Sequence, residues 1–581
     1  MSDESDPARP AGGALALLVA LGVAMVLGFV GASAVSMERS LGWDESMHAA
    51  LPAARMSVAL EFDQGREALD VALDCQQYPP FYPSILAAFG GSDEAAMRAV
   101  GRWSWALGLF GLFGLVRAAG RRDGLRASSA NWAAPLAFVF GLTSPLALAY
   151  SGTLFLEVPF LTVSILALWA WIVRADAATV RSQWIADLVA GTLIAIAFFT
   201  KFNYGLLLGA GLFLDLVCQG VGLVRAGNAA RFARRTAVLA APFTLACAWW
   251  FVLPWPAGSD VAASHREAFL GFLTGNTQLG TTPYWRRAWD FASFFAPSPR
   301  LALVLVGGAL LALRHVARPG TRALAFVALT SVGAIATHNF HLDRFLLGVA
   351  APLWALAALG VARCLPARAS AAGGVLAVGL TLALVFPTVD SRWLVDGLGV
   401  RTAENADYVD GLQRERLDLT PGRDLPTAGL VRSEYDALLD RIVGAVGPEA
   451  RIAWIGINSE LSPAALHLGL LQRGGSPERF RRDAGQVRPD GEPAMVVTFQ
   501  GIDPGWTPEV LRGWASGFDV VLSTTPVDWK QRSGREFIDG YRGWLFETGE
   551  WNYESIGSVP ISRAAGDATE VEVFVCRPSG N

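Results

Sequence analysis

The sequence predicts a polytopic α-helical membrane protein of about eleven transmembrane helices, with a C-terminal soluble α/β domain on the non-cytoplasmic side. Three observations predict it. Of 581 residues, 52% are hydrophobic and 17% charged, and the mean hydropathy is +0.37, which excludes an ordinary soluble globular chain. Apolar runs of membrane-spanning length recur between residues 14 and 388. From about residue 390, charged residues and prolines rise and short β-rich pieces take over. A net charge of −4 gives no basic footprint for nucleic acid.

Residues 1–12 are polar and read as a disordered cytoplasmic N-terminus, and residues 14–36 as the first span. The small residues Ala32, Ser33 and Ala34 would suit a cleaved signal peptide, but the run exceeds a usual h-region and lacks a basic n-region, which favours a retained helix. Further runs lie at about 99–116, 132–150, 154–173, 186–200, 203–219, 237–254, 299–313, 323–338, 345–362 and 371–388. Eleven spans with the N-terminus inside place four arginine groups in the cytoplasm, as the positive-inside rule asks. These groups are Arg117, Arg121, Arg122 and Arg126; Arg225, Arg231, Arg234 and Arg235; Arg314, Arg318 and Arg322; and Arg363 and Arg368.

The same count brings Asp44, Glu45, Glu157, Lys201, His338, His341 and Arg344 to the outer surface. The first outer loop, 37–98, opens with LGWDESMHAALP, in which an α-helix would set Asp44 and His48 on one face with Glu45 beside them. An interfacial cap is the bland reading of these acids. Amphipathic pieces follow at Ala53 to Leu60 and Ala68 to Leu73, and Pro79 and Pro80, after Gln77 and Tyr78, make an extended elbow before the next helix. The second outer loop, 255–298, carries His265, Arg266, Tyr284, Trp285, Arg286, Arg287 and Trp289, which suit an interfacial helix among lipid headgroups better than a catalytic one.

Only Lys201 and Lys530 are lysines, so a lysine between two apolar runs is conspicuous. Glu157 heads another such run. Charges at membrane depth usually face a cavity or a partner, and a Glu157 to Lys201 ion pair is the structural alternative to a functional role. Asp187 and Asp215 read as caps or inner-face charges. His338, His341 and Arg344 fall three apart, so one helical turn could aim them at a common anion, the arginine fork matching phosphate. The five cysteines form no CxxC pair, so no structural zinc site is expected; a Cys75 to Cys576 disulfide is compatible with an oxidising compartment. Past residue 390, strands are expected at Arg451 to Ile457, Ala494 to Phe499, Phe518 to Ser523 and Glu570 to Cys576, with helices at Glu434 to Val446 and Pro463 to Arg473. This unit, 390–581, has no phosphate-binding glycine motif.

Trp43 to Glu45 (WDE), Tyr78 to Pro83 (YPPFYP), Leu156 to Pro159 (LEVP), the TK ending at Lys201 and His341 to Leu347 (HLDRFLL), followed by Pro352, share an order and a sidedness. In this the chain resembles the GT-C superfamily of polyprenyl-phosphate-sugar-dependent glycosyltransferases, especially the branch of protein O-mannosyltransferases and lipid A aminoarabinose transferases. The resemblance covers roughly residues 14–388 and makes 13–389 the catalytic domain. It implies a sugar carried on a polyprenyl phosphate, transferred with inversion at the outer face of a bacterial cell membrane to a protein, lipid or glycan acceptor. Asp44 would be the general base, with Glu45 and Glu157 positioning the acceptor. Arg344, His341, His338 and Lys201 would bind the donor phosphate, and the loop with Gln77, Tyr78, Pro79 and Pro80 would face the substrates. Many relatives have a lysine before the paired prolines; here Gln76, Gln77 and Tyr78 precede Pro79, which leaves the phosphate to Lys201 or Arg344. No cofactor is certain; Glu45, His48 and Glu157 could hold a divalent metal ion. A transporter or flippase would also place charges at membrane depth but should show inverted repeats, and a non-catalytic scaffold would leave the acids and cations without purpose.

Overall fold

The computed structural model describes residues 40–75, 78–275, 299–337, 346–364, 432–455, 463–480, 505–525, 540–547, 553–561 and 571–578, apart from residues 43, 44, 145, 146, 148, 149, 152, 255–257 and 479. The predicted spans 14–36 and 371–388 and the piece Ala494 to Phe499 lie outside the described residues.

The segment expected as the first outer loop is largely helical where it is described. A π-helical turn, Ser46–Ala50, runs into α1 (Leu51–Glu61), α2 (Gly65–Leu73) and α3 (Phe81–Gly90). Pro80 is the N-cap of α3, so the proline pair makes the expected elbow. Next comes α4 (Glu94–Arg122), begun where the Asp93 side chain accepts from Ala95 N. At 1.5 Å per residue its 29 residues span about 44 Å, more than a hydrocarbon core of about 30 Å. The bundle continues with α5 (Ala127–Thr143), α6 (Glu157–Val173), α7 (Val180–Thr200), α8 (Phe202–Arg225), α9 (Ala229–Phe251), α10 (Ser259–Gly275), α11 (Pro299–Leu313), α12 (Pro319–Thr337) and α13 (Leu347–Cys364). Among the described residues, α4, α6 with its 3-10 tail to Asp176, α7, α8 and α13 are long and apolar enough to cross a membrane. Helices also stand at the other predicted runs, but α5 and α11 are short.

Trp105, Leu109, Leu112, Val116 and Ala119 recur every three or four residues along α4 and are buried, as are Phe160, Leu161, Ile165 and Leu168 on α6. Against them α13 buries Ala351, Ala355, Ala358 and Ala362, small residues that let helices approach closely. The opposite faces are apolar too. On α8, Phe213, Val217, Val221 and Val224 are 45% to 62% exposed, a stripe that water penalises and lipid accepts.

At one end of the bundle the arginines are paired. Asp123 accepts from Gly320 N, Thr321 N and Oγ1, and Arg363, tying α4 to α12 and α13. Asp187 meets Arg174 and Arg235, and Asp215 accepts from Trp171 Nε1 and meets Arg322. Asp187 and Asp215 are thus partners of the arginine groups and not helix caps.

Beyond the membrane part, α14 (Arg432–Val446), β1 (Ile452–Ile455), α15 (Pro463–Gln472), α16 (Pro508–Ala515), β2 (Val520–Thr525), β3 (Tyr553–Ile561) and β4 (Val571–Pro578) build a mixed sheet of order β1-β2-β4-β3. Strand β1 runs parallel to β2, while β4 is antiparallel to both neighbours. Strand β3 was not expected, since Gly557 breaks its alternation with an irregular register between Ser555 and Gly557. Helices α14 and α15 lie between the sheet and the first outer loop: Tyr435, Leu438, Leu439, Leu466 and Val520 share one core with Leu41, Ala50, Tyr82, Leu86 and Leu154.

Two expectations are corrected. Cys75 is a free thiol whose Sγ donates to Val71 O, so it forms no disulfide with Cys576. His265 is fully buried and not interfacial; its ring stacks on Trp250 at 3.7 Å, with its nitrogens 3.0 Å from Trp250 O and 2.7 Å from Leu73 O. That arrangement pins α10 to α9 and to the end of α2.

Candidate active site

The end of the bundle opposite the paired arginines gathers the starts of α4, α6, α8 and α13. Lys201 is the only residue between α7 and α8, in extended backbone at φ −156° and ψ 107°. So tight a reversal requires a glycine at 205, where a Cβ would stand 2.2 Å from Phe198 Cα. The Lys201 ammonium is buried, 2.5 Å from Glu157 Oε1 at the first turn of α6. Aromatic faces complete its surroundings: Nζ lies 5.3 Å from the Tyr78 ring centroid and 5.1 Å from that of Tyr204, within cation–π range. Tyr78 comes from the paired-proline loop and meets the His48 ring edge to face at 4.9 Å. Four segments distant in sequence, those of His48, Tyr78, Glu157 and the Lys201–Tyr204 turn, are therefore contiguous.

Tyr204 also reaches α13. A Cβ at Gly348 would come within 3.0 Å of the Tyr204 ring, so only glycine lets the start of α13 sit so close. His338, His341 and Arg344 lie outside the described residues, as do Asp44 and Gln77. Thr337 and Leu346, which flank 338–345, end α12 and precede α13.

Glu45 plays a different part from the expected one. Its carboxylate is 2% exposed; Oε2 accepts from Gly42 N at 3.0 Å and Oε1 from Leu154 N at 2.7 Å. Burial pushes its carboxyl above the ordinary range, and the Arg98 guanidinium and the two amides act against that push. Glu45 thus clamps the strand of chain before Ser46 to the chain just ahead of Glu157. From Ser46 the turn is π-helical, and the face expected for Asp44 and His48 involves a residue outside the described ones. The metal set also needs correction: among the described residues no three His, Cys, Asp or Glu side chains converge as ligands, and Glu45, His48 and Glu157 do not form such a set. The Glu45 oxygens serve backbone amides and Glu157 serves Lys201.

Sequence reasoning missed Tyr204 because an aromatic inside an apolar pattern reads as core; only the fold sets its ring beside the Lys201 ammonium.

No protein-family model and no curated protein matches this chain. Among solved structures, ArnT from Cupriavidus metallidurans bound to undecaprenyl phosphate matches with a TM-score of 0.56 at 15% identity, over 97% of this chain and 98% of ArnT. Its apo state gives the same TM-score at 16% identity and the same coverage. The fold is that of ArnT. An oligosaccharyltransferase from Archaeoglobus fulgidus is more distant, with a TM-score of 0.46 at 11% identity over 87% of this chain and 69% of that one. The polytopic helical architecture expected from the apolar runs is present among the described residues, and its fold is shared with ArnT.

Proposed function

We propose that this chain is a glycosyltransferase that moves a sugar from a polyprenyl-phosphate-linked donor to an acceptor at the outer face of the membrane. The observation that carries the reading is Lys201. It is a buried cation at the membrane-surface end of the bundle, oriented by Glu157 and bracketed by the Tyr78 and Tyr204 rings. A lipid-borne phosphate arriving from the bilayer meets that end first. ArnT, whose fold this chain has, was solved with undecaprenyl phosphate bound, which supports the same class of donor here.

The acceptor hydroxyl or amine attacks the anomeric carbon while the bond from that carbon to the phosphate oxygen breaks. The acceptor proton passes to Asp44, and the bonding electrons leave with the polyprenyl phosphate. Lys201, with Arg344, His341 and His338 from the segment between α12 and α13, offsets the charge that grows on the departing phosphate. A single displacement of this kind inverts the anomeric centre. Glu157 orients Lys201, and Glu45 holds the backbone on both sides of the site. The paired arginines at the far end suit the cytoplasmic leaflet, which supports an outer position for this site and the sheet-containing unit.

Incubating purified protein with a polyprenyl-phosphate-linked radiolabelled sugar tests the reading. Label leaves the lipid with wild type and stays on it with Asp44→Asn, which still inserts into membranes; a fully active Asp44→Asn removes the proposed base. Arg344→Ala raises the KM for the donor about tenfold or more and leaves that for the acceptor within about twofold.

A further inference from the structure

The arginine-paired end of the bundle holds a cation that its partners do not fully satisfy. Asp123, just past the end of α4, is held by two guanidinia: Arg363 Nη2 donates to Oδ2 at 2.6 Å, and Arg318 Nη1 donates to the backbone carbonyl. The carboxylate also accepts from the amides of Gly320 and Thr321 and from the Thr321 hydroxyl, so its two oxygens already take four bonds. One negative charge therefore faces two positive ones. The Arg363 side chain, in the last turn of α13, is only 8% exposed, yet its Nε and Nη1 are buried and meet no acceptor among the described residues. Those two atoms carry three of the five N–H groups of a guanidinium, one on Nε and two on Nη1. Buried donors are costly to leave unmade and are normally satisfied, so this part of Arg363 is suited to an anion.

An apolar track leads to the same place. Leu303, Val306, Leu310 and Leu313 recur every three or four residues on α11 and are 39% to 68% exposed, and Val316 continues them into the turn that carries Arg318. Helix α11 lies tight against α13: a Cβ at Gly360 would overlap Gly308 O and stand 2.9 Å from Ala312 N. Gly360 is one turn before Arg363 and Ala312 adjoins Leu313, so the track runs down to the level of the two guanidinia. Such a stripe is unfavourable in water and accepts acyl chains. We propose that Arg363 and Arg318 bind the phosphate of an anionic phospholipid whose acyl chain lies along Leu310, Leu313 and Val316. Arg363 supplies Nε and Nη1, and the more exposed Arg318 closes on the headgroup from the solvent side. Two planar guanidinia match phosphate oxygens in a way that point charges do not. Basic pockets between membrane helices are suited to such headgroups. The bound lipid would tie the turn between α11 and α12 to the end of α13. The site is independent of the transferase reading.

Native mass spectrometry of the full-length protein, delipidated in detergent and offered one lipid at a time, tests the site. Wild type should bind one dioleoyl phosphatidylglycerol about tenfold more tightly than dioleoyl phosphatidylcholine, which has the same chains and no net charge. Arg363→Lys, which keeps the charge and loses the fork, should weaken phosphatidylglycerol about tenfold, and Arg318→Gln about threefold or more. Arg231→Gln removes an exposed cation at the same end of the bundle and should leave binding within about twofold of wild type. Phosphatidylglycerol should also raise the Tm of wild type more than that of Arg363→Lys. Equal binding of the two lipids would overturn the site. So would equal weakening by Arg231→Gln and Arg318→Gln, which would mean attraction by general charge. Inorganic phosphate at the same concentration should not displace the lipid; displacement would make the ligand a free anion and overturn the lipid assignment. If Arg363→Lys does not fold, Arg318→Gln, on an exposed side chain, carries the same decision against Arg231→Gln.

Discussion

Lys201 sits where a lone cation would be costly, and Glu157 at 2.5 Å is its offset. Breaking a buried pair from one side leaves the other charge uncompensated, so Lys201→Met or Glu157→Gln alone should destabilise the protein by about 3–5 kcal/mol. The double variant should cost clearly less than the sum, read by thermal unfolding in detergent; strict additivity would mean that the two groups do not interact. Glu45 gives a pH signature. Its folded-state pKa is raised, chiefly by burial, so between the ordinary carboxylate value and the raised one the folded chain binds the proton more tightly than the unfolded chain. The resulting stabilisation is present below that window and is lost as pH rises through it. As pH rises above the ordinary carboxylate value, wild-type stability should therefore fall relative to Glu45→Gln, with a slope no steeper than about 1.4 kcal/mol per pH unit; parallel profiles would contradict a raised carboxyl. At this scale the sequence disclosed which residues matter better than what they do. A rare lysine and an acid at membrane depth stand out by chemistry alone. That Glu45 spends both oxygens on amides 3 and 109 residues away depends on tertiary contact and leaves no mark in the local pattern.

Helix ends, more than helix middles, organise the bundle. The apolar periodicity of α4, α6, α7, α8 and α13 was legible because lipid on one face and core on the other leave no room for a polar stripe. The short α5 and α11 carried the same signal with less length behind it. Illegible from sequence was the π-helical turn Ser46–Ala50, since an i to i+5 pattern needs no distinctive residues. Asp123 shows what a helix end contributes: one carboxylate takes two backbone amides, a hydroxyl and an arginine from two other helices. Asp123→Asn keeps the shape and loses the charge-assisted bonds, which should cost about 3 kcal/mol of stability. Unfolding in detergent at unchanged temperature would show that the α4, α12 and α13 ends hold together without it.

Across the whole molecule, two ends with opposite character face two sides of a membrane. One is laced by arginine–aspartate pairs; the other gathers His48, Tyr78, Glu157, Lys201 and Tyr204 beneath a helix-and-sheet unit that shares its core with the first outer loop. The segregation of arginines and acids to opposite ends was legible because the two kinds of residue alternate from one connection to the next along the chain. The shared core was not, because α14 lies more than three hundred residues from the loop it covers. A density map of the protein with an intact polyprenyl-phosphate sugar tests the central claim most directly. The account predicts the donor phosphate about 3 Å from Lys201 Nζ with the Asp44 carboxylate on the far side of the sugar ring. Phosphate density at the arginine-paired end, or Asp44 and Lys201 too far apart to flank one phosphosugar, would contradict it.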